Sequence, residues 1–419
     1  MVLWCRPVWF LAACAADPIT SVSAAPSEVI STLVEVSWTP ASAEAWVEWE
    51  GQRFDGADGR AVVYGAGADA TISVTVHAED WSSEPIQVTT GSLPAAIPPV
   101  ELVDAGALEP GFVATSWLES PDEGSGAIVL DEAGRVVWYD LLDDVGTISV
   151  IHKVEGGFLY LVSSHSYLPD AHAVFVSNDG REREAIPLPM AHHDVLPLPS
   201  GGFAAVVGEV REVNGENVVG DTIVEVNEDG AQTTIWNAFD HFEVIPNDGW
   251  GPLAYPEGAD WNHANGLAFD EARDQYLISM FRCACVIALD RADGEIAWIV
   301  GGDDGTMGAD NPFGPQHSPD WTDVGFSVFD NGYEINVSRL ADYAIEDGGA
   351  RLAWSWPHPD GYVTAVLGDY DRMTNGGHLS SWGTLGEVIY AGADDAVSWR
   401  VDVEPGHVLG QVDGFEQFE

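Results

Sequence analysis

Short runs in which apolar and polar residues alternate dominate this chain, and no stretch sustains the 3.6-residue period of an amphipathic helix. Runs such as "VISTLVEVSWTP", "EAWVEWEG", "ATISVTVHAED" and "EPIQVTTGSL" put successive side chains on opposite faces, as half-buried strands do. They fill residues 28–92, with turn clusters at the spacing of an immunoglobulin- or fibronectin-like β-sandwich. The Pro-rich "LPAAIPPV" opens a linker over 93–104. With 45 Gly and 24 Pro among 419 residues, the pattern predicts an all-β protein of more than one domain.

From residue 105 to 419 the pattern repeats. An acidic turn, a glycine and a strand that often ends on Trp recur as "DEAGRVVWYD", "SNDGREREAI", "NEDGAQTTIW", "DRADGEIAWI", "EDGGARLAWSW" and "ADDAVSW". The turn positions Gly134, Gly180, Gly230, Gly294, Gly349 and Asp394 lie about 45 to 64 residues apart. Between them run "VEGGFLYLVSS", "LPSGGFAAVVGE", "DNGYEINVSR" and "TNGGHLSSWG". Two hairpins per unit make a four-stranded blade, and six units predict a six-bladed β-propeller; the repeats of a β-helix are shorter.

Composition narrows the partners. There are 68 acidic residues against 15 basic ones, and Lys153 is the only lysine. Such a surface repels nucleic acid and anionic lipid headgroups. The acidic residues are dispersed, which suits a solubilising surface rather than an acidic tail, and no D-x-D-x-D-G calcium loop occurs. Residues 1–27 read as a lipoprotein-type signal and polar tether, in which "LAAC" places a lipid-bearing cysteine at Cys14. No other segment approaches the ~20 apolar residues of a membrane span. The expectation is an exported protein at the bacterial outer membrane, periplasmic or cell-surface, touching the membrane only through its lipid anchor. Cys283 and Cys285 form C-x-C in an expected strand, open to metal binding, buried thiols or a disulfide.

Register within the repeat locates the candidate chemistry. His193 lies eight residues before Gly201, and His317 lies eight before Gly325, in the loop-like "FGPQHSPDW". His263 of "DWNHANGLAFD" holds the matching place before a longer turn. Arg282 and Arg339 both end the strand ahead of an acidic turn. Equivalent positions in a closed propeller form a ring, so these side chains are expected to face one axis or its mouth. His172, His192 and His358 fall out of register. Histidines with arginines suit a tetrahedral oxyanion better than a metal, because guanidinium keeps its charge. One imidazole nitrogen could also attack the central atom. No phosphate-binding glycine loop occurs, so no nucleotide cofactor is expected.

At these residues the sequence resembles the bacterial arylsulfotransferases. The matching strings are "HHD" with "LPSGG", "DWNHANGLAFD", "YLISMFR", "DGEIAWIVGG", "QH" ahead of "FDNG" and "SR", and "TNGGHLSSWG". The resemblance implies a six-bladed propeller that passes sulfuryl from an aryl sulfate donor to a phenolic acceptor through a sulfated histidine. It implies His317 as nucleophile, His263 in proton transfer, Arg282 in charge neutralisation and His193 in the oxyanion pocket, with His192 as the alternative. Arg339 becomes a supporting or sulfate-binding residue, while Trp261 and Trp321 are either aryl-stacking or blade-packing residues. The sequence departs from the family at Ser318, where relatives carry an acidic residue, at His378, where asparagine is usual, and in its C-x-C. Two other readings stand beside it: a non-catalytic propeller that binds a protein or glycan, and a metal-dependent hydrolase built on the three histidines. Oligomeric state is open, a homodimer included.

Overall fold

The computed structural model describes residues 19–118, 125–142, 146–163, 169–244, 258–302, 305–346, 348–404 and 407–418. Cys14 and most of the expected signal lie outside them. The chain divides into two compact units, Met1–Ser92 and Leu93–Glu419.

In the first unit one sheet joins Ser21–Pro26, Val34–Thr39 and Arg60–Val63, and a second is centred on Thr71–Ala78. Val34, Val36 and Trp38 from one sheet meet Val47, Val74 and Val76 from the other in a single core. The strand Ser21–Pro26 falls in the stretch read as tether. Its alternation "SVSAAP" is short and weakly apolar, yet it pairs in full register with Val34–Thr39.

The second unit is six antiparallel sheets in chain order, each four strands or more. The innermost strands are Val408–Phe415 (blade one), Thr147–Val154 (two), Ala191–Pro197 (three), Ala264–Asp270 (four), Gln316–Trp321 (five) and Asp369–Arg372 (six), each lying against the next around the axis. The ring closes twice. Val408–Phe415 pairs with Phe112–Leu118 to complete blade one, and Val100–Ala105 adds an outer strand to blade six. Val100–Ala105 thus belongs to the propeller, although "VELVDA" follows so closely on the prolines that it reads as linker.

Neighbouring blades share apolar cores, such as the one that packs Ala204, Val206 and Ile223 against Leu267, Ile278 and Ile287. The repeated acidic turn and Trp have a common purpose. Each turn joins the third and fourth strands of its blade, and Trp138, Trp356 and Trp399 each donate an indole N–H to a carbonyl in the next blade's turn, at Asn178, Asp395 and Glu132. In the fifth and sixth turns the left-handed residue is Gly348 and Asp395, one position from those counted in the sequence.

Nearer the axis every blade junction carries a side-chain to main-chain hydrogen bond. Asp413 accepts from Lys153 N–H (2.6 Å), and Ser149 donates to His193 O (3.0 Å). Asp194 accepts from Leu267 N–H (2.7 Å), and Asn265 donates to Gln316 O (2.7 Å). Ser318 donates to Gly368 O (3.1 Å), and Asp369 accepts from Val412 N–H (2.8 Å). A buried acceptor of this kind holds neighbouring strands in one register, and an empty one would cost about 1–3 kcal/mol.

Three of the acids in this ring sit in each other's field. Burial pushes the Asp413 carboxyl up to about 7, the Lys153 N–H opposes the shift and Asp369 adds to it. A carboxyl raised above its unfolded value gives stability at low pH that is lost as pH rises toward the folded value. Asp413→Asn keeps an acceptor and removes the charge. Thermal melts of the two proteins are therefore expected to diverge in the variant's favour between pH 4 and 7 and to run parallel above; a gap independent of pH would contradict the assignment.

Candidate active site

The inner strands of blades three, four and five each begin with a break in register: between Ala191 and Val195, between Ala264 and Gly266, and between His317 and Asp320. A bulge turns a side chain out of the strand's alternation. At or just before each break a residue adopts positive φ: His193 (62°) and Ser318 (43°) within it, and His263 (52°) immediately ahead of Ala264. Gln316–Trp321 is thus a strand rather than a loop, its period hidden by Pro315, Pro319 and the bulge. The strand and its neighbour come close enough that a Cβ on Gly266 would lie 2.5 Å from Pro319 Cδ, which explains the glycine of "NHANG".

These breaks bring His192, His193, His263 and His317 into one arc. The His193 and His263 rings meet edge to face at 4.7 Å, and Phe281 stands 5.7 Å from His263 and 5.9 Å from His317. Phe281 and Arg282 ride on the turn between Gln275–Met280 and Cys285–Asp290, where Phe281 N–H donates to His263 O (2.9 Å). Cys283 and Cys285 form a disulfide across this turn. Cys283 lies in the turn and only Cys285 in the strand, so the two do not share a strand face as the spacing suggested. The turn packs on Gly301 and Gly302, where a Cβ would meet Ala284 O at 2.4 Å and Cys283 O at 2.9 Å.

Hydrogen bonds fix the protonation pattern of the imidazoles. Asn331 donates its Nδ2 hydrogens to Thr364 O (2.9 Å) and Leu367 O (2.8 Å), so its Oδ1 is an acceptor. His317 Nδ1, 2.7 Å from that oxygen, must then carry the hydrogen, and the lone pair belongs to Nε2. Burial pushes the His317 imidazole down to about 4, with the Asn331 bond opposing and His263 adding to the shift. The ring is a neutral base at ordinary pH. Its Nε2 accepts a long contact (3.3 Å) from Leu367 N–H.

The other histidines lean on two acids, Asp260 within the "DWNHANGLAFD" motif and Asp221 outside the motifs. His263 Nδ1 lies 2.9 Å from Asp260, whose same oxygen accepts from Arg282 at 3.2 Å. Burial would raise the Asp260 carboxyl, but His263, Arg282 and His192 outweigh it and hold it below the usual range. His192 Nε2 donates to Asp221 (2.9 Å), and its Nδ1 is left to accept from His193 Nδ1 (2.7 Å). Out-of-register His192 therefore belongs to the arc, as the relay between Asp221 and His193.

Of the remaining candidates, Arg339 is 6% exposed and its Nε donates to Asp330 (2.8 Å). Asp330 in turn accepts from Gly314 and Gly332 N–H, so this pair ties together the segments flanking His317 and Asn331. Trp261 stacks on Phe239 within the core of blades three and four. Trp321 meets Trp298 edge to face under the Arg273 guanidinium. Both tryptophans pack blades. His378 lies between Trp354 and Trp356, and His358 pairs with Glu387, both away from the arc. Gln316 of "QH" is fully buried and donates to Cys285 O (2.8 Å), fastening the strand to the disulfide turn. Among the described residues no three His, Cys, Asp or Glu side chains are arranged to hold a metal ion.

The arc therefore offers a neutral imidazole with its lone pair on Nε2, a guanidinium and three further imidazoles. Because the folded His317 value lies below the unfolded one, its neutral form contributes stability above pH 6.5 that is lost as pH falls toward 4. Ring resonances of labelled His317 are expected to titrate near pH 4. His317→Gln is expected to lose less stability than the parent between pH 6.5 and 4, by up to ~3 kcal/mol. Titration near 6.5 would contradict the buried, Asn331-bound state.

A model of the family described as Arylsulfotransferase (ASST) matches residues 100–348. No curated protein matches the chain. Similar solved structures include a protein of unknown function from Bacteroides caccae, at 14% identity and TM-score 0.45 over 71% of this chain and 97% of that one. A luciferin-regenerating enzyme follows at 12% and 0.41, covering 74% and 97%, and a streptogramin B lyase at 10% and 0.39, covering 72% and 86%. Likeness at that level carries nothing about chemistry. The family match takes in blades three and four and the His317 and Asn331 segments of blade five, with every residue of the histidine arc, and on it the chain belongs to the arylsulfotransferase family.

Proposed function

We propose that this sulfotransferase moves a sulfuryl group from a phenolic sulfate to a phenolic acceptor through a sulfated His317, without a nucleotide cofactor. The observation that carries the reading is the fixed tautomer of His317. Nδ1–H is held by Asn331, so the lone pair lies on Nε2, where an incoming sulfur has to displace the long 3.3 Å contact from Leu367 N–H, and the arc also carries Arg282, anchored on Asp260.

In the first half-reaction the Nε2 pair forms an N–S bond as the S–O bond to the aryl oxygen breaks. The leaving phenoxide takes a proton from protonated His263. The sulfated ring then bears positive charge at Nδ1–H, which the Asn331 carbonyl accepts. In the second half-reaction an acceptor phenol returns its proton to His263, its oxygen forms the new O–S bond, and the N–S pair goes back to Nε2. Arg282 and His193 stabilise the charge on the sulfuryl oxygens through both steps. Asp260 lies 2.9 Å from His263 Nδ1 and accepts from Arg282 through the same oxygen, which fixes the two side chains relative to each other.

The same reading places the protein outside the cytoplasm, tethered by lipid at Cys14. The Cys283–Cys285 disulfide suits an oxidising compartment.

Mass spectrometry of the protein mixed with a chromogenic aryl sulfate is expected to find one sulfuryl adduct, on His317, which disappears on addition of phenol and never forms in His317→Ala. A protein that releases phenol without that adduct would require another mechanism. With a formal charge of −53, the protein repels the anionic donor. Added salt is therefore expected to raise kcat/KM for the aryl sulfate and to leave that for an uncharged phenol nearly constant; a fall for the donor would mean that the local cationic groups govern encounter.

A further inference from the structure

Among the described residues, large apolar side chains are seldom exposed, and four of those that are lie on two segments: Tyr333 and Ile335, both 44% exposed, and Tyr362 (52%) with Val363 (37%). Both segments also hold His317. Asn331 opens the first and orients His317 Nδ1, while Leu367 closes the second and contacts Nε2.

The exposure is not that of a slack loop. Ser338 N–H donates to Tyr362 O (3.0 Å), and Thr364 N–H donates to Ser338 Oγ (2.8 Å). Asn331 bonds Thr364 O, and the Tyr333 hydroxyl donates to Ala365 O. These bonds hold the two segments together with their apolar side chains outward, on a protein whose surface is otherwise strongly acidic. Leaving such groups in water costs free energy that a bound apolar ligand recovers, at ~25 cal/mol per Å².

Phe281 joins this patch to the chemistry. Its ring is 5.9 Å from His317 and 6.4 Å from Tyr333, tilted steeply to both. Aromatic rings approaching edge to face at such distances form a wall against which a further ring can pack. The charges on the two segments are acidic: Glu334 on one, and Asp360, paired with Arg400, on the other. Neither segment carries Lys or Arg.

We propose that Phe281, Tyr333, Ile335, Tyr362 and Val363 form an acceptor subsite for extended, flat phenols that carry no negative charge. The first ring lies against Phe281 and Tyr333 with its hydroxyl toward His317 and His263, and the remainder spreads over Ile335, Tyr362 and Val363. This rests on the sulfuryl-transfer reading and adds the size and charge of the acceptor to it. Acceptors with a carboxylate beyond the first ring are disfavoured by Glu334 and Asp360, the nearby Arg400 being already paired with Asp360.

The test measures transfer from one aryl sulfate to phenol, 4-phenylphenol and 4′-hydroxybiphenyl-4-carboxylate. The parent protein is expected to favour 4-phenylphenol over phenol by about tenfold or more in kcat/KM, from burial of the second ring. The carboxylate should cancel that gain. In the double variant Ile335→Ser with Tyr362→Ser the ratio of 4-phenylphenol to phenol is expected to fall to near one, whereas Val324→Ser, at an exposed apolar site outside the two segments, keeps the parent's ratio. A parent without the preference, or a double variant that retains it, overturns the subsite while a His317 adduct still upholds sulfuryl transfer. Should no adduct form with any donor, the transfer reading fails on its own. Equilibrium binding of 4-phenylphenol then decides the subsite: loss in the double variant supports it and unchanged binding overturns it.

Discussion

Everything in the propeller depends on the hydrogen bonds that cross from one innermost strand to the next. Apolar packing between blades is non-directional and would tolerate sliding by a residue. A carboxylate or hydroxyl that must find one particular amide or carbonyl does not tolerate it. Asp194 on Leu267, Asn265 on Gln316 and Ser318 on Gly368 set the height of each blade against its neighbour. The histidine arc draws one residue or more from each of three blades, so its geometry is only as well defined as those junctions. Ser318 illustrates the economy: its hydroxyl clasps the next blade directly beside His317.

The arc also shows how an imidazole is kept neutral in a polar cluster. Burial, with a smaller push from His263, depresses the His317 imidazole, and the Asn331 carbonyl fixes which nitrogen keeps its lone pair. An acid in place of Asn331 would favour the imidazolium and remove the lone pair. An acid is used instead beside His263, where one oxygen of Asp260 meets both that ring and the Arg282 guanidinium. Two environments a few ångströms apart thus give two imidazoles different tasks.

Much of this was legible in the sequence because the repeat places residues without coordinates. The in-phase spacing of His193, His263 and His317 reflects the bulge that opens three successive inner strands, and in three blades the recurring Trp marks an indole that bonds the next blade's turn. What escaped reading has physical reasons. Strand Gln316–Trp321 hides its alternation behind two prolines and a bulge, and Val100–Ala105 resembles the end of a linker because its partner strand lies at the far end of the chain. Asn331 and Asp260 sit in motifs and Asp221 outside them, and the contacts of Asn331 with His317 and of Asp221 with His192 span 14 and 29 residues of chain, which spacing within one motif does not display. His192 looked out of phase because it works through its neighbour. The C-x-C gave no sign of lying across a turn, where the two sulfurs can meet.

The double closure of the ring has a consequence in time. Thr115 hydrogen-bonds Gln411 across 296 residues of chain, so blade one stays a three-stranded remnant until nearly the whole propeller has been synthesised. Contacts that distant form slowly and late. The blades that carry the histidines lie in the middle of the sequence, but nothing seals the circle that presses them together until its two ends have met. A chain delivered strand by strand across a membrane would therefore arrive inert, and would acquire a working centre only in the compartment where its last strand is inserted.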